Sequence, residues 1–459
     1  TGVGSTYTLG RWFLGYAGLI TSMFDLPWVN GAFSLFYISI VVILLTEMFE
    51  IKNKGMIVLC AAIFVSFPTV VSSFAYMYTA DAYLLAFLLA TLAVYLTWCV
   101  KKWGTIAGMV CLAFAMGIYQ AYATVAIVLV LLYIIRQFVI EKLDFLEAVR
   151  KDLKYLGMLV GGAVLYAVIL KITLIRYNIT LPGYQGIGAL GIMSLGQYKA
   201  ALQKTLYHFR LILGMEHGVE KHVYSLLNAA ALLLIGLILI YLLVRNQVYK
   251  KKMSMLASIA AVCLIPVGAY FINFTSPDVQ YYTLMEMAVC LIYLLMIIML
   301  LQLDWKTWIS KILKGCGIFV LCGLVYYNVI NCNIAYFNMN LSYHKSISIA
   351  EDVLQRIEQM DEFQNQHDKV VIMGDYNCAT ENLQIMMPSI MGISNDSFLN
   401  DSYHYTIIWN YCFGVQMEQA SYDEMMEIVE TDEYKNMSVY PLKGCVEYIN
   451  GIIVVKMQE

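Results

Sequence analysis

The sequence is poor in charge. Only 13% of its 459 residues are Asp, Glu, Lys or Arg, against about 25% in an ordinary soluble domain. With 61% apolar residues, that shortage excludes water as the main solvent and points to lipid. A net charge of −3 and the lack of any long basic run exclude a nucleic-acid partner. There is no Cys-x-x-Cys pair and no Cys/His cluster at metal-ligand spacing. Most of the eleven cysteines lie in apolar runs, where a lone Cys is a small hydrophobe. Cys378, Cys412 and Cys445 lie in a polar tail, and one disulfide among them is open if that tail meets an oxidising space. An initiator Met and a signal-peptide pattern are also missing. Thr1 to Tyr7 read as the inside of a loop, so at least one further helix is expected upstream.

Long apolar runs are abundant. A span needs roughly 20 apolar residues, and ten runs qualify, near 29–50, 56–78, 81–100, 104–119, 121–140, 156–175, 223–244, 254–273, 282–302 and 312–330. The boundary between the fourth and fifth is soft. Lys52 and Lys54, Lys101 and Lys102, Arg136 to Lys154, Arg245 to Lys252, and Lys306 to Lys314 fall in every second loop. By the positive-inside rule all these loops face the cytoplasm. The N-terminal stretch, the 176–222 loop and the tail then lie outside. Residues 10–24 read as an interfacial helix. The expected fold is an α-helical polytopic membrane protein, with a membrane domain over 1–330 and a C-terminal extracytoplasmic α/β domain over 331–459. In the tail, Ile349, Val353, Ile357 and Met360 have helical spacing, Lys369 to Gly374 reads as a strand, and Tyr422 to Glu433 reads as a helix. Asn450-Gly451 between two apolar runs predicts a tight hairpin.

Polar groups collect at the outer helix tips. Asp81 lies among Tyr76, Tyr78 and Tyr83, either as a functional carboxylate or as a helix cap within a tyrosine belt. Asp25 beside Pro27, and Glu286 near the start of the ninth run, have the same two readings. Arg11 next to Trp12, together with Arg176 and Arg210, can hold a lipid phosphate or snorkel to headgroups. Tyr119 and Gln120 at a helix junction, and Tyr184 in the long loop, can bind sugar or satisfy backbone. His208, His217 and His222 with Glu216 and Glu220 give metal-like spacing without a full ligand set. Internal duplication is not visible, and acids and bases are scarce at mid-span. Both observations favour an enzyme over a transporter or flippase for a lipid-linked glycan, the alternative of another class.

Gly10-Arg11-Trp12, Phe67-Pro68-Thr69, the Tyr76 to Tyr83 segment with Ala80-Asp81-Ala82-Tyr83, and Gly117-Ile118-Tyr119-Gln120-Ala121 resemble, in order and spacing, the bacterial glucosyltransferase GtrII family. Val439-Tyr440-Pro441 and the hairpin from Asn450 to Lys456 look like that family's C-terminal end. The resemblance implies a C-type (GT-C-like) fold and an active site on the outer face. It implies transfer of a hexose, glucose first, from polyprenyl-phosphate-linked sugar to a surface glycan such as an O-antigen. It places the chain in the bacterial cytoplasmic membrane, beside a small flippase and a donor-synthesising enzyme. It names no cofactor and leaves a divalent cation open. The family's catalytic carboxylate belongs to the first outer loop, expected upstream of Thr1. Asp81, in the second outer loop, and Asp25 are then the catalytic candidates. Arg11, Trp12, Tyr78, Tyr83, Tyr119, Gln120, Arg176, Tyr184 and Arg210 are the substrate-binding ones.

Overall fold

A computed structural model describes residues 6–181, 191, 193–215, 223–364, 368–374, 376, 399 and 401–458. The chain divides into two compact units, one running to Cys332 and the other starting at Asn333.

The first unit is helical. Its helices are α1 (Pro27–Met48), α2 (Lys54–Ser66), α3 (Pro68–Phe74), α4 (Met77–Cys99), α5 (Gly104–Ile118), α6 (Ala123–Val139), α7 (Phe145–Tyr177), α8 (Leu195–Ile212) and α9 (Val223–Arg245), followed by shorter apolar helices and the start of Trp308–Glu358. Among the described residues, six helices are long and apolar enough to cross a membrane, or seven if the bent pair α2–α3 is one span. The 44° bend falls at Phe67-Pro68, where proline removes a donor and forces the preceding residue out of the helical region; Phe67 has ψ 140°. Gly104–Ile118, Lys252–Cys263 and Met287–Leu301 are apolar but shorter. At 1.5 Å per residue they do not reach across a hydrocarbon core of about 30 Å.

The exposed surface of α7 identifies its solvent. Leu153, Val160, Val164, Val168 and Ile172 point outward, while Tyr155, Met158, Gly162, Tyr166 and Leu170 are buried. An apolar outer stripe of that length suits lipid. Inside, helices approach closely through small residues. Gly104 and Gly108 are four apart on α5 and face α4 backbone: a Cβ on them would lie 2.2 Å from the Leu96 carbonyl and 2.6 Å from that of Ala93. This is the small-xxx-small packing of membrane helices.

The basic loops are cross-linked to one another. Arg136 is bonded to the Met48 carbonyl and, at 2.7 Å, to Glu50. Lys154 donates to the Thr97 carbonyl, Asn246 to that of Val139, Lys251 to that of Lys142, and Arg245 to that of Gln302. They therefore form one end of the bundle, as the alternation of basic residues predicts.

Two of the segments expected outside the membrane differ from their predicted form. Residues 10–24 are not one interfacial helix. A single α turn, Leu14–Ala17, passes into a 3-10 turn, Gly18–Thr21, and then Ser22 and Met23 adopt positive φ, which ends any helix. Residues 176–222 are not all loop either, since they contain α8. Ser194 and Gln197 form a reciprocal capping box at its start, a helix signal present in the sequence.

The second unit holds a four-stranded sheet: β1 (Lys369–Met373), β2 (Glu418–Gln419), β3 (Val446–Ile449) and β4 (Ile452–Lys456), ordered β2-β1-β4-β3. β1 runs parallel to β2 and β4, and β3 and β4 form the Asn450-Gly451 hairpin. Both turn residues have positive φ, as the tight hairpin requires. Side chains alternate between two cores. Val370, Ile372, Ile453 and Val455 pack with Val353, Ile357 and Trp409, whereas Val371, Val454 and Ile428 form the opposite side. Helix Tyr422–Glu430 starts on a Ser421–Glu424 capping box. Hydrogen bonds from Lys369 and then from Ser421 hold the Glu424 carboxyl down at about 2. Cys412 and Cys445 are free thiols, and Cys378 lies outside the described residues.

Candidate active site

The end of the bundle away from the basic layer brings two of the four predicted tyrosines, Tyr83 and Tyr119, to Arg11. The Arg11 guanidinium lies 4.3 Å from the centre of the Tyr119 ring, and its Nη1 donates to the Tyr83 hydroxyl at 3.4 Å. Tyr83 and Tyr119 are stacked, with centroids 5.2 Å apart. Each ring comes from a helix end: Tyr83 from the second turn of α4, and Tyr119 from the extended residue that separates α5 from the 3-10 turn Gln120–Tyr122. A cation held on a π face is an anion receptor fixed in advance.

The chain before Arg11 is held just as firmly. Gly10 has φ +69°, and a Cβ there would meet Gln120 Nε2 at 2.7 Å and the Tyr166 hydroxyl at 2.9 Å. Trp12 is buried against Gly117 and Phe114, and the Phe13 amide donates to the Gly117 carbonyl at 2.8 Å.

Arg11 stands at the head of a cleft of about 720 Å³. The cleft walls are apolar: Leu112 and Met116 of α5, Ile127 of α6, Val160, Ala163 and Ala167 of α7, and Phe271 and Val279 beyond. Its polar groups, apart from Thr275, are Arg11, Tyr119, Gln120 and Tyr166, so charge and hydrogen bonding sit at one end of a long greasy slot. That shape takes an amphiphile whose head is an anion.

The other predicted residues are distributed differently. Asp81 is only 1% exposed and accepts from Asn30 Nδ2 at 3.0 Å. Asn30 Oδ1 in turn accepts the Leu26 amide that opens α1. The carboxylate thus joins α1 to α4. Asp81→Ala would leave the buried Asn30 amide without this partner and is expected to destabilise by about 1–3 kcal/mol. Asp81→Asn, which keeps an acceptor oxygen, should unfold within about 1 kcal/mol of the parent, as read by thermal unfolding in detergent. Asp25 and Tyr78 are exposed. Arg176 and Arg210 are exposed near the ends of α7 and α8, and neither lines the cleft. Tyr184 and the Glu216–His222 stretch lie outside the described residues, and those described include no cluster of three metal-ligating side chains. His208 instead packs on the rings of Tyr270 and Tyr281; burial, then Lys204, lowers its pKa. Glu286 is buried and accepts from the Tyr270 hydroxyl at 2.7 Å. Tyr166 was not marked by any sequence pattern, being a lone phenol in a 33-residue helix.

A bundle of helices long and apolar enough to cross a membrane, with an apolar cleft beside Arg11, defines a membrane-embedded protein. The chain belongs to the glucosyl transferase GtrII family, whose profile matches residues 1–285, and so is a membrane glycosyltransferase. The match takes in Arg11, Asp81, Tyr119, Gln120 and Tyr166 and stops short of Glu286; the C-terminal hairpin lies beyond it. No curated protein and no solved structure matches the chain.

Proposed function

We propose that the protein transfers a hexose, glucose by the family's name, from a polyprenyl-phosphate donor to a cell-surface polysaccharide at the outer face of a bacterial cytoplasmic membrane. The observation that carries this proposal is the apolar cleft with Arg11 at its head. An isoprenoid chain has the chemistry of its walls, and a phosphodiester that of its polar end. In the reaction, an acceptor hydroxyl oxygen attacks the anomeric carbon. The bond from that carbon to the phosphate oxygen breaks, and the electron pair leaves with the polyprenyl phosphate. A carboxylate takes the hydroxyl proton, while Arg11 stabilises the charge growing on the leaving phosphate. Asp25, exposed at the elbow before α1, suits the base better than Asp81, which is committed to Asn30.

In this account the chain crosses the bilayer ten times. The three short apolar helices count among these crossings, Lys252–Cys263 being continued by the helix Ile265–Ala269, and the second unit is extracytoplasmic. The scarcity of acids and bases at mid-span supports an enzyme working at a surface. Photolabelling tests the donor site. A polyprenyl phosphate bearing a diazirine in its chain is expected to label α5 and α7 near Met116, Leu159 and Ala163, with competition by unlabelled lipid. Labelling confined to the outward stripe of Leu153, Val168 and Ile172 would show bulk lipid contact alone and reject the cleft as the donor site.

A further inference from the structure

Gln120 and Tyr166 line the head of the cleft beside Arg11, yet their hydrogen-bond donors face the protein. Gln120 Nε2 donates to the Leu9 carbonyl at 3.0 Å and to the Tyr166 hydroxyl at 2.9 Å. The Tyr166 hydroxyl donates to the Gly10 carbonyl at 3.0 Å. The two carbonyls so bound are those immediately before Arg11. They are gripped from two different elements, the 3-10 turn after α5 and the middle of α7, 46 residues apart. Gly10 completes the fit, because its left-handed backbone leaves no space for a side chain between the two donors. The segment after Arg11 already has its own anchors in Trp12 on Gly117 and the Phe13 amide on the Gly117 carbonyl. The segment after Arg11 is thus held independently of the polar clamp. The clamp acts at the one point that sets where the guanidinium begins.

We infer that Gln120 and Tyr166 are positioning residues for Arg11: by fixing the Leu9 and Gly10 carbonyls they aim the guanidinium at the donor phosphate, and thereby set how strongly the cleft prefers a phosphorylated polyprenol to the free alcohol. This rests on the proposal that Arg11 meets the donor phosphate. It assigns Gln120 a task other than holding sugar, and it gives a task to Tyr166, which the sequence did not mark.

The test is a double-mutant cycle on the full chain in detergent micelles. Binding of polyprenyl phosphate and of polyprenol of equal chain length is followed by intrinsic tryptophan fluorescence. Tyr166→Phe removes one hydroxyl. It should lower the phosphate-over-alcohol preference about tenfold while leaving polyprenol affinity within about twofold. Gln120→Leu should do the same. In an Arg11→Ala background neither substitution should change the preference further. Polyprenol affinity reports whether the cleft is intact, so a general loss of packing is visible as such. Equal weakening toward both lipids, or the same tenfold loss with and without Arg11, would overturn the positioning role and leave Arg11's own role standing. An unchanged preference in Arg11→Ala alone would remove Arg11 from phosphate binding and the clamp's purpose with it.

Discussion

Arg11→Ala is expected to reduce sugar transfer by two to three orders of magnitude, the usual loss when a preorganised donor to developing charge is removed. The phosphate at the head of the cleft would lose its fixed cation in a setting where walls of Leu112, Met116 and Val160 exclude water and give electrostatics more weight. The loss should be larger in kcat than in the donor KM, because charge on the phosphate grows as the sugar leaves it. Arg11→Lys separates charge from geometry. Lysine keeps the positive charge but cannot lie flat on Tyr119 or present two parallel donors, so recovery should be partial, about tenfold below the parent. Steady-state kinetics with polyprenyl-phosphate glucose would show both effects. Full activity in Arg11→Lys would mean that the stack on Tyr119 contributes nothing.

Gly108→Val is the second large effect. A Cβ at this position lies 2.6 Å from the Ala93 carbonyl and 2.5 Å from Thr97 Oγ1. Backbone cannot move aside as a side-chain tip can, so α4 and α5 would have to separate. Overpacking of this kind costs about 1–3 kcal/mol or more. It would also pull apart the helices that carry Tyr83 and Tyr119, so activity should fall with stability. Gly157→Val on α7, where a Cβ meets nothing within 4 Å, is the matched control and should be nearly neutral. Thermal unfolding of both variants in detergent measures the difference.

Much of the fold was legible from apolar runs, because a helix in lipid must satisfy its backbone internally and so must be long and continuous. The soft boundary near residue 120 proved to be the extended Tyr119 followed by a 3-10 turn. The Asn450-Gly451 hairpin was legible because its turn chemistry is local. The packing of Gly104 and Gly108 was not read from the sequence, since the carbonyls they approach belong to another helix. The site was legible only as a set of types. Arg11, Tyr83 and Tyr119 do meet, whereas Arg176 and Arg210 stay out of the cleft, and helical spacing cannot tell which of these cations converge. Asp81 looked catalytic because a buried acid is costly. Its partner Asn30 is 51 residues away and turns that cost into a joint between helices. Tyr166 went unseen for the same reason, since its work lies with Gly10 at a separation of 156.

Glycosyl transfer and lipid transport separate in the fate of labelled polyprenyl-phosphate glucose in sealed proteoliposomes supplied with envelope polysaccharide on the Arg11 side. Label should leave the lipid and appear in the polysaccharide, and Arg11→Ala should stop it. Label that stays lipid-linked and moves to the opposite leaflet would contradict a glycosyl-transfer cleft and make the protein a carrier of its lipid-linked sugar.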